Sequence, residues 1–233
     1  GYRFNAAYED LNPYVRNTQG HRNLVALAMD WRITPDSKLE WEFEHSERQQ
    51  IGVNGYSLLG NSLPAPVDGK RNLTWQDWAV PGVFGADTGT IRFKQNLANG
   101  WLWTTSYGAQ RLKTDDRLAY AFGCSAENNY DRYCSNGTFD LYDWRSNNEH
   151  RKVDALQTEL SGQTTLAGLQ HDVAVSAMRY RMLLDTQAYA YNLVGTGSVF
   201  SSFTSSADPS AIYAGTNRSE YYTELALKDK VSL

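Results

Sequence analysis

Cysteine is almost missing from this chain, with only Cys124 and Cys134 among 233 residues. That scarcity excludes a disulfide-dense scaffold. The pair lacks the CxxC pattern, and His21, His45, His150 and His171 are scattered without zinc-like spacing, so no metal site is expected. Long apolar runs are missing too, and nothing approaches the roughly 18 residues of a spanning helix. The chain opens on Gly1-Tyr2-Arg3, without the charged and apolar regions of a signal peptide. Cations are in deficit, 22 Lys and Arg against 26 Asp and Glu, and no basic stripe interleaves with aromatics. Nucleic acid is thereby excluded as a partner. Aromatic residues, in contrast, are plentiful at 13% in a chain that is 41% hydrophobic, which suits one all-β domain or a piece of something larger.

The apolar residues alternate with period two. Val25, Leu27, Met29 and Trp31 point one way, and Ala26, Ala28 and Asp30 the other. After the turn signal Thr34-Pro35-Asp36-Ser37, Leu39, Trp41 and Phe43 alternate with Glu40, Glu42 and Glu44. Ile91, Phe93 and Leu97 alternate with Arg92, Lys94 and Asn96, ahead of the hairpin signal Asn99-Gly100, and a strand resumes at Trp101. A further pair, roughly 151 to 166 and 169 to 186, is hinged at Ala167-Gly168, and a last strand covers roughly 219 to 231. With Tyr2 to Glu9 at the start, the count is about eight strands.

Short links alternate with long ones, the long ones being roughly 51 to 87, 121 to 150 and 187 to 218. Tight turns at one edge and long loops at the other describe an all-β, antiparallel, up-and-down transmembrane β-barrel section with short periplasmic turns and long extracellular loops. Its strands would place Leu39, Trp41 and Phe43 in lipid and Glu40, Glu42 and Glu44 in a wet lumen. Trp31, Trp41, Trp101 and Trp103 lie near the short turns, where a periplasmic aromatic girdle belongs. A soluble sandwich or lectin-like domain shares the alternation but has no reason to keep every second loop short.

Several stretches, taken in order, carry a resemblance. They are Trp31-Arg-Ile-Thr-Pro-Asp-Ser-Lys-Leu-Glu-Trp-Glu-Phe-Glu-His-Ser, Tyr56-Ser-Leu-Leu-Gly with Leu63-Pro-Ala, and Asn99-Gly100-Trp101. Next come Gly123-Cys-Ser-Ala-Glu-Asn-Asn-Tyr-Asp-Arg-Tyr-Cys, Asn192-Leu-Val-Gly-Thr-Gly-Ser and Glu220-Tyr-Tyr-Thr-Glu-Leu-Ala-Leu-Lys-Asp. Together they resemble the barrel of TonB-dependent siderophore receptors across nearly the whole chain. The resemblance implies a large outer-membrane barrel plugged by an N-terminal domain, which takes up ferric siderophores with energy relayed by TonB. The implied partners are a ferric siderophore, the receptor's own plug, the TonB complex and outer-membrane lipid, and iron enters only inside the ligand. This chain departs from the family pattern in showing no plug segment, no TonB-contacting box and no aromatic-ended final strand. It is therefore expected to be an internal section, residues 1–233 forming part of the barrel domain, with two unpaired sheet edges.

No catalytic constellation stands out. Glu40, Glu42 and Glu44 read as a hydrated strand face rather than a glycosidase pair, and Asp115 and Asp116 point to opposite faces unless a bulge intervenes. Asp131, Asn136, Asp140 and Asp143 miss the spacing of a calcium loop, and Gly195-Thr-Gly197 has no helix after it. An enzyme is not expected. Binding has better candidates in the loop aromatics and a cation: Tyr56, Trp75, Trp78, Tyr120, Phe122, Tyr130, Arg132, Tyr133, Trp144, Tyr189 and Tyr191. Rings offer contact area at little entropic cost, and hydroxyls and indoles orient a chelate whose iron is already coordinated. The alternatives are a passive porin-like or adhesive barrel and a soluble carbohydrate-binding sandwich. In an oxidising envelope Cys124 and Cys134 read as a disulfide that pins the tip of the second long loop.

Overall fold

The computed structural model describes residues 1–65 and 67–232. It holds nine strands: β1 (Tyr2–Leu11), β2 (Gly20–Arg32), β3 (Ser37–Gln50), β4 (Gly82–Asn96), β5 (Leu102–Ala121), β6 (Thr138–Leu166), β7 (Leu169–Asp185), β8 (Ala190–Ser198) and β9 (Arg218–Ser232). Eight of them form one antiparallel meander in the order β1-β2-β3-β4-β5-β6-β7-β9, while β8 pairs with the upper part of β6. The sheet is open, and β1 and β9 are its edges.

The alternation sets the register, because a one-residue slip would turn every side chain to the wrong face. On one face Tyr2, Met29, Trp41, Ile91, Tyr107 and Leu156 lie directly opposite one another along the ladders. On the other, Asn5, Ala26, Glu44, Thr88 and Gln110 do the same. One carboxylate there, Glu40, gathers Lys38 at 2.9 Å, Lys94 at 3.0 Å and Arg92 at 3.6 Å. No second sheet covers the apolar face among the described residues. Phe4, Trp31, Leu225 and Leu227 are more than half exposed on it. So wide an apolar surface marks a face built to be covered by something outside this sheet.

Both ends of the sheet follow the expected alternation of links. At one end sit the tight turns, with Asn99, Gly100, Ala167 and Gly168 in the left-handed region that a right-twisted hairpin asks of its corner. At the other end lie connections 12–19, 51–81 and 122–137, and the 186–217 segment that contains β8.

The expected long loops are thus present with different bounds. The first ends at residue 81, not 87, and the second closes at residue 137, not 150, because β6 is a 29-residue strand. At about 3.3 Å per residue such a strand is several times the usual strand length, so its upper half projects well beyond the apolar band of the sheet. There both faces meet protein, the apolar–polar contrast lapses, and Asp140 and Asp143 resemble turn residues. The third expected loop, 187–218, contains β8 for the same reason. The buried core also sits at this end: Leu59, Leu73, Ala119, Ala121, Tyr133, Phe139, Leu141 and Val199 pack between the loops and the projecting strands.

Candidate functional site

The loop end is knitted into one cap. Cys124 and Cys134 form the expected disulfide, Cα to Cα 5.1 Å, across the 122–137 connection. Asp140 accepts hydrogen bonds from the Ser125 amide at 2.8 Å and hydroxyl at 3.1 Å, and the Glu127 carboxylate accepts from the Ser135 amide at 3.0 Å. Glu127 lies near both sulfurs, but these are bonded to each other, and no other acid, His and Cys cluster fit for a metal occurs among the described residues.

Tyr133 joins this loop to the first one. Its amide donates to the Leu58 carbonyl at 3.0 Å, its carbonyl accepts from Gly60 at 3.1 Å, and its hydroxyl donates to Gly55 at 3.1 Å. The first loop is tied in turn to the segment after β8. Arg71 donates to the carbonyls of Val199 at 3.0 Å, Ser198 at 3.1 Å and also Ser201. The Trp78 indole donates to the Ser205 carbonyl at 3.2 Å.

An aromatic strip runs beside the cap across β5, β6 and β8. Phe122 stacks on Tyr120 at 5.5 Å, Tyr120 meets Tyr191 at 6.2 Å, and Tyr191 stacks on Tyr142 at 4.5 Å. Trp144 sets its edge against Tyr191 at 5.8 Å and meets Tyr189 at 5.3 Å, and Tyr189 stacks on Tyr213 at 5.1 Å. Register explains the assembly: Tyr120 lies opposite Tyr142, and Trp144 lies opposite Leu118 on one side and Tyr191 on the other. The Trp144 indole donates to Asp116 at 3.0 Å. Asp116 follows Gln110, Leu112 and Thr114 at alternate positions of β5 and lines a cavity with Leu112, Thr114 and Glu149. The strip is therefore the upward continuation of the polar face.

A register shift does fall between Thr114 and Asp116, yet the two carboxylates take different partners. Asp115 accepts from the Asn148 amide at 2.7 Å and pairs with Arg117 at 3.1 Å.

Of the expected binding residues, Tyr120, Phe122, Trp144, Tyr189 and Tyr191 converge in this strip. Tyr56 lines a cleft with Tyr120, Phe122 and Arg132. Tyr130 is exposed at the loop tip, and Trp75 is exposed in the first loop away from the strip's ring contacts. Tyr133 and Trp78 serve the cap instead. Tyr133 is 2% exposed against Phe139, and Trp78 packs on the core under the Arg145 guanidinium, 5.7 Å from the ring centre. Arg132 is engaged by Asp131 at 2.7 Å and by the Asn61 side chain at 2.6 Å. That guanidinium holds the Asp131 carboxyl below its usual range.

Two strip members, Tyr142 and Tyr213, lie outside the expected set; Tyr142 is placed by its register opposite Tyr120, and Tyr213, in a Ser- and Ala-rich stretch, enters only through its bridge to Tyr189. Burial pushes the Tyr191 hydroxyl up to about 12 and the Tyr133 hydroxyl likewise to about 12, and raises Tyr142. These phenols are neutral donors at physiological pH.

The sequence matches no protein-family model and no curated protein. Among solved structures the fold is well represented. The chain is similar to BauA, the ferric preacinetobactin receptor from Acinetobacter baumannii, with a TM-score of 0.76 and 14% identity over 99% of this chain and 34% of that one. It is similar to Fiu, the ferric-catecholate import receptor from K12 E. coli, with a TM-score of 0.76 and 15% identity over 99% of this chain and 34% of that one. The ferripyoverdine receptor of the outer membrane of Pseudomonas aeruginosa aligns with a TM-score of 0.72 and 15% identity over 99% and 30%. The chain thus spans about a third of the length of the structures it matches, and what it shares with them is the antiparallel β-sheet of a section of their barrels.

Proposed function

We propose that this chain is part of the barrel of a bacterial outer-membrane receptor that takes up ferric siderophores with TonB-derived energy. The observation that carries the reading is the aromatic strip from Phe122 to Tyr213, standing on the polar face above an apolar-banded wall. A ferric siderophore asks for such a surface. Its iron is fully coordinated, so recognition falls to ring faces and neutral hydrogen-bond donors and not to His or Cys ligands. The fold likeness to three ferric-siderophore receptors supports the same reading.

On this reading the short turns face the periplasm, the loops face outward, and the polar wall around Glu40, Glu42 and Glu44 contacts the receptor's own N-terminal plug. The barrel is a fixed frame, and transport is a shift of the plug population driven by TonB. No bond of the ligand is broken by this segment, and no cofactor is needed beyond the iron already inside the ligand.

The test uses the full-length protein in detergent, titrated with ferric and iron-free forms of hydroxamate, catecholate and mixed siderophores. Tighter binding of one ferric form, weakened at least tenfold by Tyr191→Ala together with Tyr120→Ala, is the expected result. Equal affinity for the ferric and iron-free forms of every ligand overturns the proposal.

A further inference from the structure

The aromatic strip carries charge of one sign. Asp116 precedes Leu118 and Tyr120 at alternate positions of β5, and Asp140 precedes Tyr142 and Trp144 at alternate positions of β6, so both carboxylates share the face of the rings. Asp116 accepts from the Trp144 indole at 3.0 Å, and Asp140, 5% exposed, accepts from the Ser125 amide and hydroxyl. All three donors are neutral, so both charges remain. Burial is the main cause of the raised Tyr142 hydroxyl, and the Asp140 charge adds to it, which places that field at the ring edges. Asp208, in the segment that delivers Tyr213, is a further carboxylate, capped by the Ser210 amide at 3.2 Å. The cations at this end are turned away or already engaged. Arg117 and Arg145 lie opposite one another on the cap side, held by Asp115 at 3.1 Å and Asp143 at 2.6 Å. Arg132 is held by Asp131, Arg218 by Glu220, and Arg71 by three backbone carbonyls. Arg151, below the strip, lines one cavity with both Asp116 and Glu149 and is outnumbered there. Among the described residues the strip itself holds no cation.

We infer that the strip takes a neutral or singly cationic ferric trihydroxamate, and that Asp116 and Asp140 set this preference by repelling anionic chelates such as ferric tris-catecholates. The inference rests on the siderophore reading above and narrows it to one ligand class. Charge balance separates the classes. Three hydroxamates each bring one negative charge to ferric iron and leave the chelate neutral, or positive where an amine of its backbone is free. Three catecholates bring two negative charges each, and the chelate is a trianion. Ring faces are the negative side of an aromatic quadrupole, so they attract a cation and repel an anion, as the carboxylates do. Recognition of a trianion calls for guanidiniums or ammoniums within reach. Here the nearby guanidiniums are engaged by Asp115, Asp143, Asp131 and Glu220. The neutral phenols of Tyr142 and Tyr191 can donate to iron-bound hydroxamate oxygens without any charged partner.

In water a pair of unit charges about 8 Å apart is worth about twofold in affinity, and a trianion facing two carboxylates makes about six such pairs. The penalty is then on the order of fiftyfold at low salt and roughly fivefold to tenfold at physiological ionic strength, where the screening length is about 8 Å. The experiment titrates the full-length receptor in detergent by calorimetry at both salt concentrations. The ligands are a linear ferric trihydroxamate bearing one free ammonium, its N-acetylated neutral form and a tripodal ferric tris-catecholate, each beside its iron-free form. Both hydroxamates should bind at least fivefold tighter than the tris-catecholate at physiological salt, and the gap should widen several-fold at low salt. Asp116→Asn with Asp140→Asn removes both charges while keeping oxygen acceptors for the Trp144 indole and the Ser125 amide. It should shift the ratio of tris-catecholate to neutral-hydroxamate affinity about fivefold toward the catecholate. The wild-type ranking and its salt dependence decide the inference even where the double variant unfolds.

A tris-catecholate bound as tightly as the hydroxamates, or a gap that does not respond to salt, overturns the inference and leaves the siderophore reading standing on whichever ferric form binds. An unshifted ratio in the folded double variant overturns it as well. Equal affinity for the ferric and iron-free forms of all three ligands removes the siderophore reading and this inference with it.

Discussion

Replacing Phe139 by Ala is the sharpest test of whether the loops act as one cap separate from the sheet below. Phe139 has 0% exposure and packs 4.9 Å from the Tyr133 ring and 5.6 Å from the Phe203 ring, one from each of two loops. Gly197 lies against it so closely that a Cβ there would come within 2.2 Å of the ring. A site enclosed from three sides cannot collapse easily onto a cavity, so truncation costs about 3 to 5 kcal/mol.

If the cap opens as a local unit, that cost multiplies its opened population by about a hundredfold to a few thousandfold. Hydrogen exchange of the full-length protein in detergent reads this directly. The amides of Tyr133 and Val199, bonded to Leu58 and Gly137, should exchange faster by that factor, while those of β3 stay unchanged. Ferric-ligand affinity should fall as well, because residues 142 and 144 of the strip are carried by the same strand that carries Phe139. Equal acceleration in β3 would show that cap and sheet unfold together. No acceleration at Val199 would show that the ring does not hold the loops.

The disulfide has a smaller reach. Closing a loop of about ten residues removes roughly 2.5 to 3 kcal/mol of unfolded-chain freedom, so Cys124→Ser with Cys134→Ser should speed proteolysis within 122–137 while the far-ultraviolet β signal is retained; loss of that signal would make the staple global. Tyr191→Phe should keep most ligand affinity and Tyr191→Ala should lose at least tenfold, since the ring and not the hydroxyl makes the contacts to Tyr142 and Trp144; equal losses would shift the burden to the hydroxyl. Tyr133 and Tyr191 both have hydroxyls raised to about 12 by burial. Their folded-state values exceed the unfolded value near 10, so their contribution to cap stability is full below pH 10 and is lost as pH rises through about 12. Ultraviolet titration should show two phenols ionising about two units late in the native protein, and both would shift to about 10 if the cap were already open.

Much of this was legible in the residues themselves. Wherever a strand has lipid-suited and polar faces, as at Leu39 to Glu44 and Val25 to Trp31, period-two contrast declares strand, face and register together. The corners at Asn99-Gly100 and Ala167-Gly168 declare themselves too, because few residues accept left-handed backbone. Above the apolar band that contrast is gone. Thr138 to Ser146 looks like loop because its two faces are partnered by protein, with Phe139, Leu141 and Asp143 under the cap and Tyr142 and Trp144 in the strip.

From sequence alone, composition, alternation and loop spacing determine an open-faced β wall, its tight and loose ends, and a population of aromatic residues at the loose end. Only the tertiary structure decided which of those rings meet. Tyr120, Tyr142, Trp144, Tyr191 and Tyr213 come from four chain segments, and their contact depends on β8 pairing with β6 instead of with β7. It also separated rings that hold the cap, Tyr133 and Trp78, from rings that present a surface, Tyr120 and Tyr191. Local sequence cannot make that distinction, because burial is set by what folds over a residue from elsewhere in the chain.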